Sequence, residues 1–166
     1  MKSTVLIFMI LIITKTAMFA NEENFSLGYW TIDAKKYGEH FDKKMNTKNS
    51  DEKKKKIFAK YKAIGLKYIK LTVVEIRESK IHFHQGDVKK STTVGSFVKV
   101  KSDSSEFKPN VDKKKRLNIL FKKNDDQSVT YTRGNAVYVL TKMDEEAAKK
   151  RIAEFKVMRD KKSKKK

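Results

Sequence analysis

Residues 69–84, "IKLTVVEIRESKIHFH", alternate apolar and polar side chains on both sides of a polar stretch, Arg77 to Lys80. Alternation at period two marks a strand with one apolar and one polar face. The segment therefore reads as a hairpin, with strands at 69–76 and 81–84 and the turn "RESK" between them. Ile81 and Phe83 look one way, joined by Val74 and Ile76 of the partner strand, while His82 and His84 look the other way. The same period recurs in "STTVGSFVKVK" (91–101), "RLNILFKK" (116–123), "SVTYT" (128–132) and "AVYVLTK" (136–142). Turn formers at Gly86-Asp87, "NDDQ" and Gly134-Asn135 separate most of these runs. "SDSSEFKPNVDKKK" (102–115), which carries the only proline, Pro109, reads as a long polar connector.

Upstream, "FSLGYWTI" (25–32) is a first strand, and Asp33 can cap a short helix over "AKKYGEHF". Ser50, Asp51 and Glu52 start a second helix, with carboxylates at the positive end of its dipole. Over 51–68 it places Ile57, Phe58, Tyr61, Ile64 and Tyr68 along one side, a face expected to dock on an apolar surface. Downstream, Thr141 and Asp144 cap a C-terminal helix over 143–158, with Ala148, Ile152 and Phe155 in line. Residues 159–166 read as a disordered, lysine-rich tail. The expected class is α+β: one domain over 21–142 built on an antiparallel β-meander of six or seven strands, a half-barrel or barrel. It has a helical insert after strand 1 and a C-terminal helix.

The chain starts with Lys2, an unbroken apolar run from Val5 to Ile13, and Ala20 before polar "NEEN". That is the pattern of a signal peptide over residues 1–20, too short in its apolar run for a membrane span of about 20 residues. The expected location is periplasmic or secreted; the alternative is an uncleaved N-terminal anchor, with no integral span once the signal is removed. The 166 residues contain no cysteine, which excludes disulfide staples and thiolate zinc sites. Such a domain must rest on its own core.

His82 and His84, two apart on a strand, are candidate metal ligands, since neutral imidazole suits zinc or copper. A closed site needs three or four ligands. His40 has no spacing relation to the pair, and Asp87 lies beyond the turn. The plainer reading, two histidines on the wet side of a sheet, is preferred, and no cofactor is expected. No nucleophile motif and no phosphate-binding glycine loop is present, and the carboxylate pairs fall in a turn and at a helix start. The protein reads as a non-enzyme.

The formal charge is +20. Lysines gather at Lys53, Lys54, Lys55 and Lys56, and at Lys113, Lys114 and Lys115 with Arg116; both clusters are candidate polyanion-binding groups. Only five arginines accompany 35 lysines. Arginine recognises phosphate bidentately, so this bias implies diffuse attraction to an anionic polymer or lipid surface. Nucleic acid is not the expected partner, because export removes its usual forms.

Gly28-Tyr29-Trp30 within "LGYWTID" resembles the G-x-W that opens the first strand of lipocalins. Over residues 25–142 the order of strand, helical insert and meander is similar to small lipocalin-like proteins exported by bacteria. The resemblance implies a calyx with Trp30 at its closed end. It also implies a non-enzymatic exported binding module for a small apolar ligand, lined by Trp30, Val74, Ile76, Ile81 and Phe83. The alternatives are a basic protein that binds polyanions or membrane surfaces in the cell envelope, and a metal protein or enzyme using His82 and His84.

Overall fold

A computed structural model of the chain describes residues 24–46, 52–86, 91–110 and 117–163. The hairpin pairs as its alternation requires, Val74 opposite Phe83 and Ile76 opposite Ile81, with Glu75 opposite His82 on the other face. It forms β2 (Thr72–Arg77) and β3 (Lys80–Gln85). The chain enters through β1 (Gly28–Ile32), then α1 (Ala34–Asn46) and α2 (Glu52–Lys70). After the hairpin come β4 (Ser91–Val100), β5 (Ser104–Pro109), β6 (Ile119–Lys123), β7 (Val129–Arg133), β8 (Ala136–Met143) and α3 (Glu145–Ser163). Each strand pairs antiparallel with the next, and β8 returns to β1 with Leu140 opposite Ile32, closing an eight-stranded barrel.

Six or seven strands were expected. The additional one is β5, inside the segment read as a connector. Its side chains alternate as Ser105, Phe107 and Pro109 inward, all buried, with Glu106 and Lys108 outward. Two of the three inward positions are too small or too rigid to look like a strand's apolar face. Pro109, the last residue of the strand, is tolerated there because its missing N–H falls at the ladder's end.

The barrel interior is a single apolar cluster. Trp30 and Ile32 of β1, Val74 and Ile76 of β2, Ile81 of β3, Phe107, Ile119, Phe121, Val129, Tyr131 and Leu140 all belong to it. Rings meet across it edge-on, Phe97 with Phe107 at 5.1 Å and Phe121 with Tyr131 at 5.6 Å between centroids, a favourable arrangement for aromatic quadrupoles. At the end where β1 begins, Trp30 donates its indole N–H to Ser26 O at 2.9 Å. Lys142 Nζ lies 4.6 Å from the centre of the Trp30 ring and donates to Leu27 O. Gly28 makes this closure possible: its φ is +116°, and a Cβ there would sit 2.9 Å from Lys142 Nζ.

A second, smaller cluster lies outside the barrel, where α3 covers β1, β2 and β3. Ala148 and Phe155 are buried against Tyr29 and Val73, with Ile152 beside them. The helix is capped by Asp144, whose carboxylate accepts from the N–H of Ala147 at 3.0 Å. It continues past the expected end at Met158 through Ser163, and Arg159 donates to Gln85 O at 2.6 Å. The expected disordered tail is therefore helical as far as Ser163; Lys164 to Lys166 lie outside the described residues.

The expected docking face of α2 is also corrected. Ile57, Tyr61, Ile64 and Tyr68 are exposed. The helix packs through the neighbouring stripe, with Ile69 buried, Phe58 half-buried and Lys62 paired to Asp42 of α1. Gly65 lets the two helices meet, since a Cβ at that position would lie 2.6 Å from the Tyr37 hydroxyl.

Candidate functional site

β7 carries Val129, Tyr131 and Arg133 at alternate positions, and the first two are core residues. Alternation sends the third side chain into the barrel as well. Arg133 Nη1 lies 3.5 Å from Thr93 Oγ1 on β4. Thr93 stands opposite Ile81, so it too faces inward. β4 and β7 are not neighbours in the sheet, and the contact therefore crosses the bore.

Tyr131, which neighbours Arg133, belongs to a chain of aromatic contacts. Phe83 meets Tyr131 edge-on at 5.8 Å, Tyr131 lies 5.8 Å from Tyr138, and Tyr138 stacks on Tyr37 of α1 at 6.3 Å. Burial pushes the Tyr131 phenol up to about 12, against the pull of the neighbouring Arg133 charge and hydrogen bond. Burial also raises Tyr37, with Tyr138 adding to the effect. The strand ends that carry Arg133, Ala136, Phe83 and Thr93 are those at which β1 gives way to the helical pair.

α1 is anchored to the barrel by three contacts. Asp33 N donates to Val139 O at 2.8 Å, the Asp33 carboxylate caps the helix through Lys36 N at 2.9 Å, and Lys36 Nζ reaches Asp126 at 2.7 Å. Between α1 and the start of β8 lies a cavity of about 220 Å³, lined by Tyr37, His40, Phe41 and residues Asn135 to Tyr138. The inward-facing Phe83, Thr93, Arg133, Ala136 and Tyr138 all keep some accessible surface. Other interior side chains do not. Val74, Ile76 and Ile81 are 0 % exposed and Trp30 is 2 % exposed.

The five residues expected to line a ligand cup do meet inside the barrel. Trp30, Val74, Ile76 and Ile81 are packed core, and only Phe83 belongs to the accessible layer. Arg133 was missed. The signal was present in "SVTYTRG", where an arginine follows two core residues in step, but a basic residue before a turn reads as a strand's solvated end.

On the outer face, His82 and His84 have ring centroids 5.7 Å apart. His82 Nδ1 pairs with Thr92 Oγ1 at 2.9 Å, and His84 Nε2 with Glu75 Oε2 at 2.7 Å. Arg77 donates to both Glu75 and the Tyr29 hydroxyl. Both histidines are on the face opposite Ile81 and Phe83, but His84 is buried rather than wet, at the edge of the seat of α3. Burial of Glu75 works against its charge, and hydrogen bonds from His84 and Arg77 outweigh it, leaving the carboxyl below its ordinary value. His40 is on α1, away from this network, and Asp87 lies outside the described residues. Among the described residues no three such side chains gather as metal ligands.

Of the lysine clusters, Lys55 and Lys56 are exposed on α2. The side chains of Lys53 and Lys54, and the whole of Lys113, Lys114, Lys115 and Arg116, lie outside the described residues. Comparison of the chain with protein-family models, curated proteins and solved structures gives no match.

Proposed function

We propose that this protein is a non-enzymatic, exported binding module of lipocalin-like type, which holds a small apolar ligand in the helix-covered end of its barrel. The observation that carries the reading is the division of the interior. Part of it is packed around Trp30, while Phe83, Thr93, Arg133, Ala136 and Tyr138 keep accessible surface, beside a cavity of about 220 Å³ under α1. Ligand sites are concave, largely apolar and furnished with a few polar groups that fix orientation. The closure of β8 on β1 and the Gly28–Trp30 corner support the lipocalin likeness. Export rests on residues 1–20, outside the described part of the chain, and predicts a secreted product whose mass corresponds to a first residue Asn21.

The neutral fluorophore 1-aminoanthracene tests the binding site. Wild type should bind it saturably at one site, and Ala136→Trp, which fills the mouth, should abolish binding with the circular dichroism spectrum unchanged. Non-saturable emission, or equal binding by the variant, would contradict the reading.

A second reading is favoured by α2. Ile57, Tyr61, Ile64 and Tyr68 form an exposed line along the helix, bordered by exposed Lys56, Lys60 and Lys67. An apolar stripe edged with lysines suits the surface of an anionic bilayer. Flotation with phosphatidylglycerol vesicles should carry the protein upward at low salt, and Tyr61→Ser with Ile64→Ser should release it. Equal flotation with neutral phosphatidylcholine would refute the electrostatic part.

A further inference from the structure

Resting on the reading of the barrel as a ligand-binding module, we propose that its ligand is an apolar monocarboxylate whose head group is held by Arg133. Four arginines fall among the described residues, and three have strong acceptors: Arg77 binds Glu75, Arg151 the backbone oxygen of Lys70, and Arg159 that of Gln85. Arg133 differs. It is the one that enters the barrel, its bond to Thr93 is long at 3.5 Å, and among the described residues no carboxylate pairs with it.

A cation partly withdrawn from water among apolar side chains carries a cost that an anion or several hydrogen bonds would offset. A guanidinium offers five donors in a planar fork that matches a carboxylate. One hydroxyl from Thr93 and one from Tyr131 use only part of that capacity. The surroundings define the rest of the ligand. Phe83 and Tyr138, both packed on buried Tyr131, keep accessible ring surface, so the tail that follows the head group is hydrocarbon or aromatic. Thr93 fixes the guanidinium from across the bore, a positioning role, and leaves the remaining donors for the ligand.

Isothermal titration of the mature protein with decanoate and with decan-1-ol separates head group from tail. Wild type should prefer the acid to the alcohol by roughly tenfold or more, the usual strength of a charge-assisted pair. Arg133→Gln should remove that preference, Arg133→Lys should keep part of it, and Thr93→Val should weaken acid binding several-fold. Should Arg133→Gln fail to fold, Thr93→Val carries the test, since it removes one hydroxyl and no charge. Equal affinity of wild type for acid and alcohol, or an acid preference undisturbed in Arg133→Gln and Thr93→Val, overturns the inference and leaves the binding module standing. Wild type that binds neither compound overturns both.

Discussion

α2 and α3 are of similar length, both are lysine-rich, and both display an apolar line at helical spacing, yet only one of those lines is buried. Ala148, Ile152 and Phe155 of α3 sit on Tyr29 and Val73 outside the barrel. Ile57, Tyr61, Ile64 and Tyr68 of α2 face solvent. The difference lies in what the barrel offers each helix. β1 and β2 turn an apolar strip outward at Tyr29 and Val73, which α3 covers. α2 faces α1 and must fit a glycine-sized gap, so Gly65 and Ile69 decide its orientation rather than the larger side chains. Periodicity tells which residues share a face; a partner decides which face is used.

The comparison can be broken most severely at Phe155. Phe155→Ala should cost about 3–5 kcal/mol in urea unfolding, because a fully buried aromatic leaves a cavity under α3. A loss below about 1 kcal/mol would mean that α3 is only loosely seated. Next in size is Glu75→Gln, beside that seat. It leaves Arg77 and His84 with a weaker acceptor and should cost about 1–3 kcal/mol at neutral pH.

The same residue has a pH signature. The Glu75 carboxyl titrates below its ordinary 4.5 in the folded chain, so its stabilisation is fully present above that value and is lost as pH falls through the folded value. Wild type should therefore lose stability below pH 4.5 faster than Glu75→Gln, as read from urea midpoints at several pH values. Parallel curves would show that the carboxylate is not held by its partners. The smallest effect belongs to α2. Tyr61→Ser should change stability by no more than about 0.5 kcal/mol, the range for exposed positions away from special features. A larger loss would place that ring in a contact.

The hairpin was legible because Val74, Ile76, Ile81 and Phe83 share one face around a polar turn, although its first strand begins at Thr72 and not at Ile69, which belongs to the last turn of α2. The capping aspartates, Asp33 and Asp144, were legible for a similar reason: each stands immediately before a helix and its carboxylate accepts an N–H three residues on, whereas Thr141, expected to cap with Asp144, lies within β8. β5 was hidden because Ser105 and Pro109 fill inward positions where no bulky apolar side chain fits, a constraint imposed by the barrel and absent from local pattern. Closure itself was hidden for the same reason. Nothing in β8 announces that its neighbour is β1.

The candidate site was less legible than the fold. Trp30, Val74, Ile76 and Ile81 were grouped correctly as one interior face, but whether an apolar face encloses a cup or a packed core depends on the strands opposite. Phe107, Phe121 and Leu140 pack into the same cluster. Arg133 became visible only when the register carried Tyr131 and Arg133 to the same side and Thr93 appeared across the bore.

An amide NMR titration with 1-aminoanthracene tests most directly whether the ligand site is the accessible end of the barrel and not a helix surface. The account predicts saturable shifts at Phe83, Thr93, Arg133 and Ala136 to Tyr138, with residues 57–68 of α2 unmoved on their outer side. Shifts confined to Ile57, Tyr61, Ile64 and Tyr68, with the β3, β4, β7 and β8 amides unchanged, would contradict it.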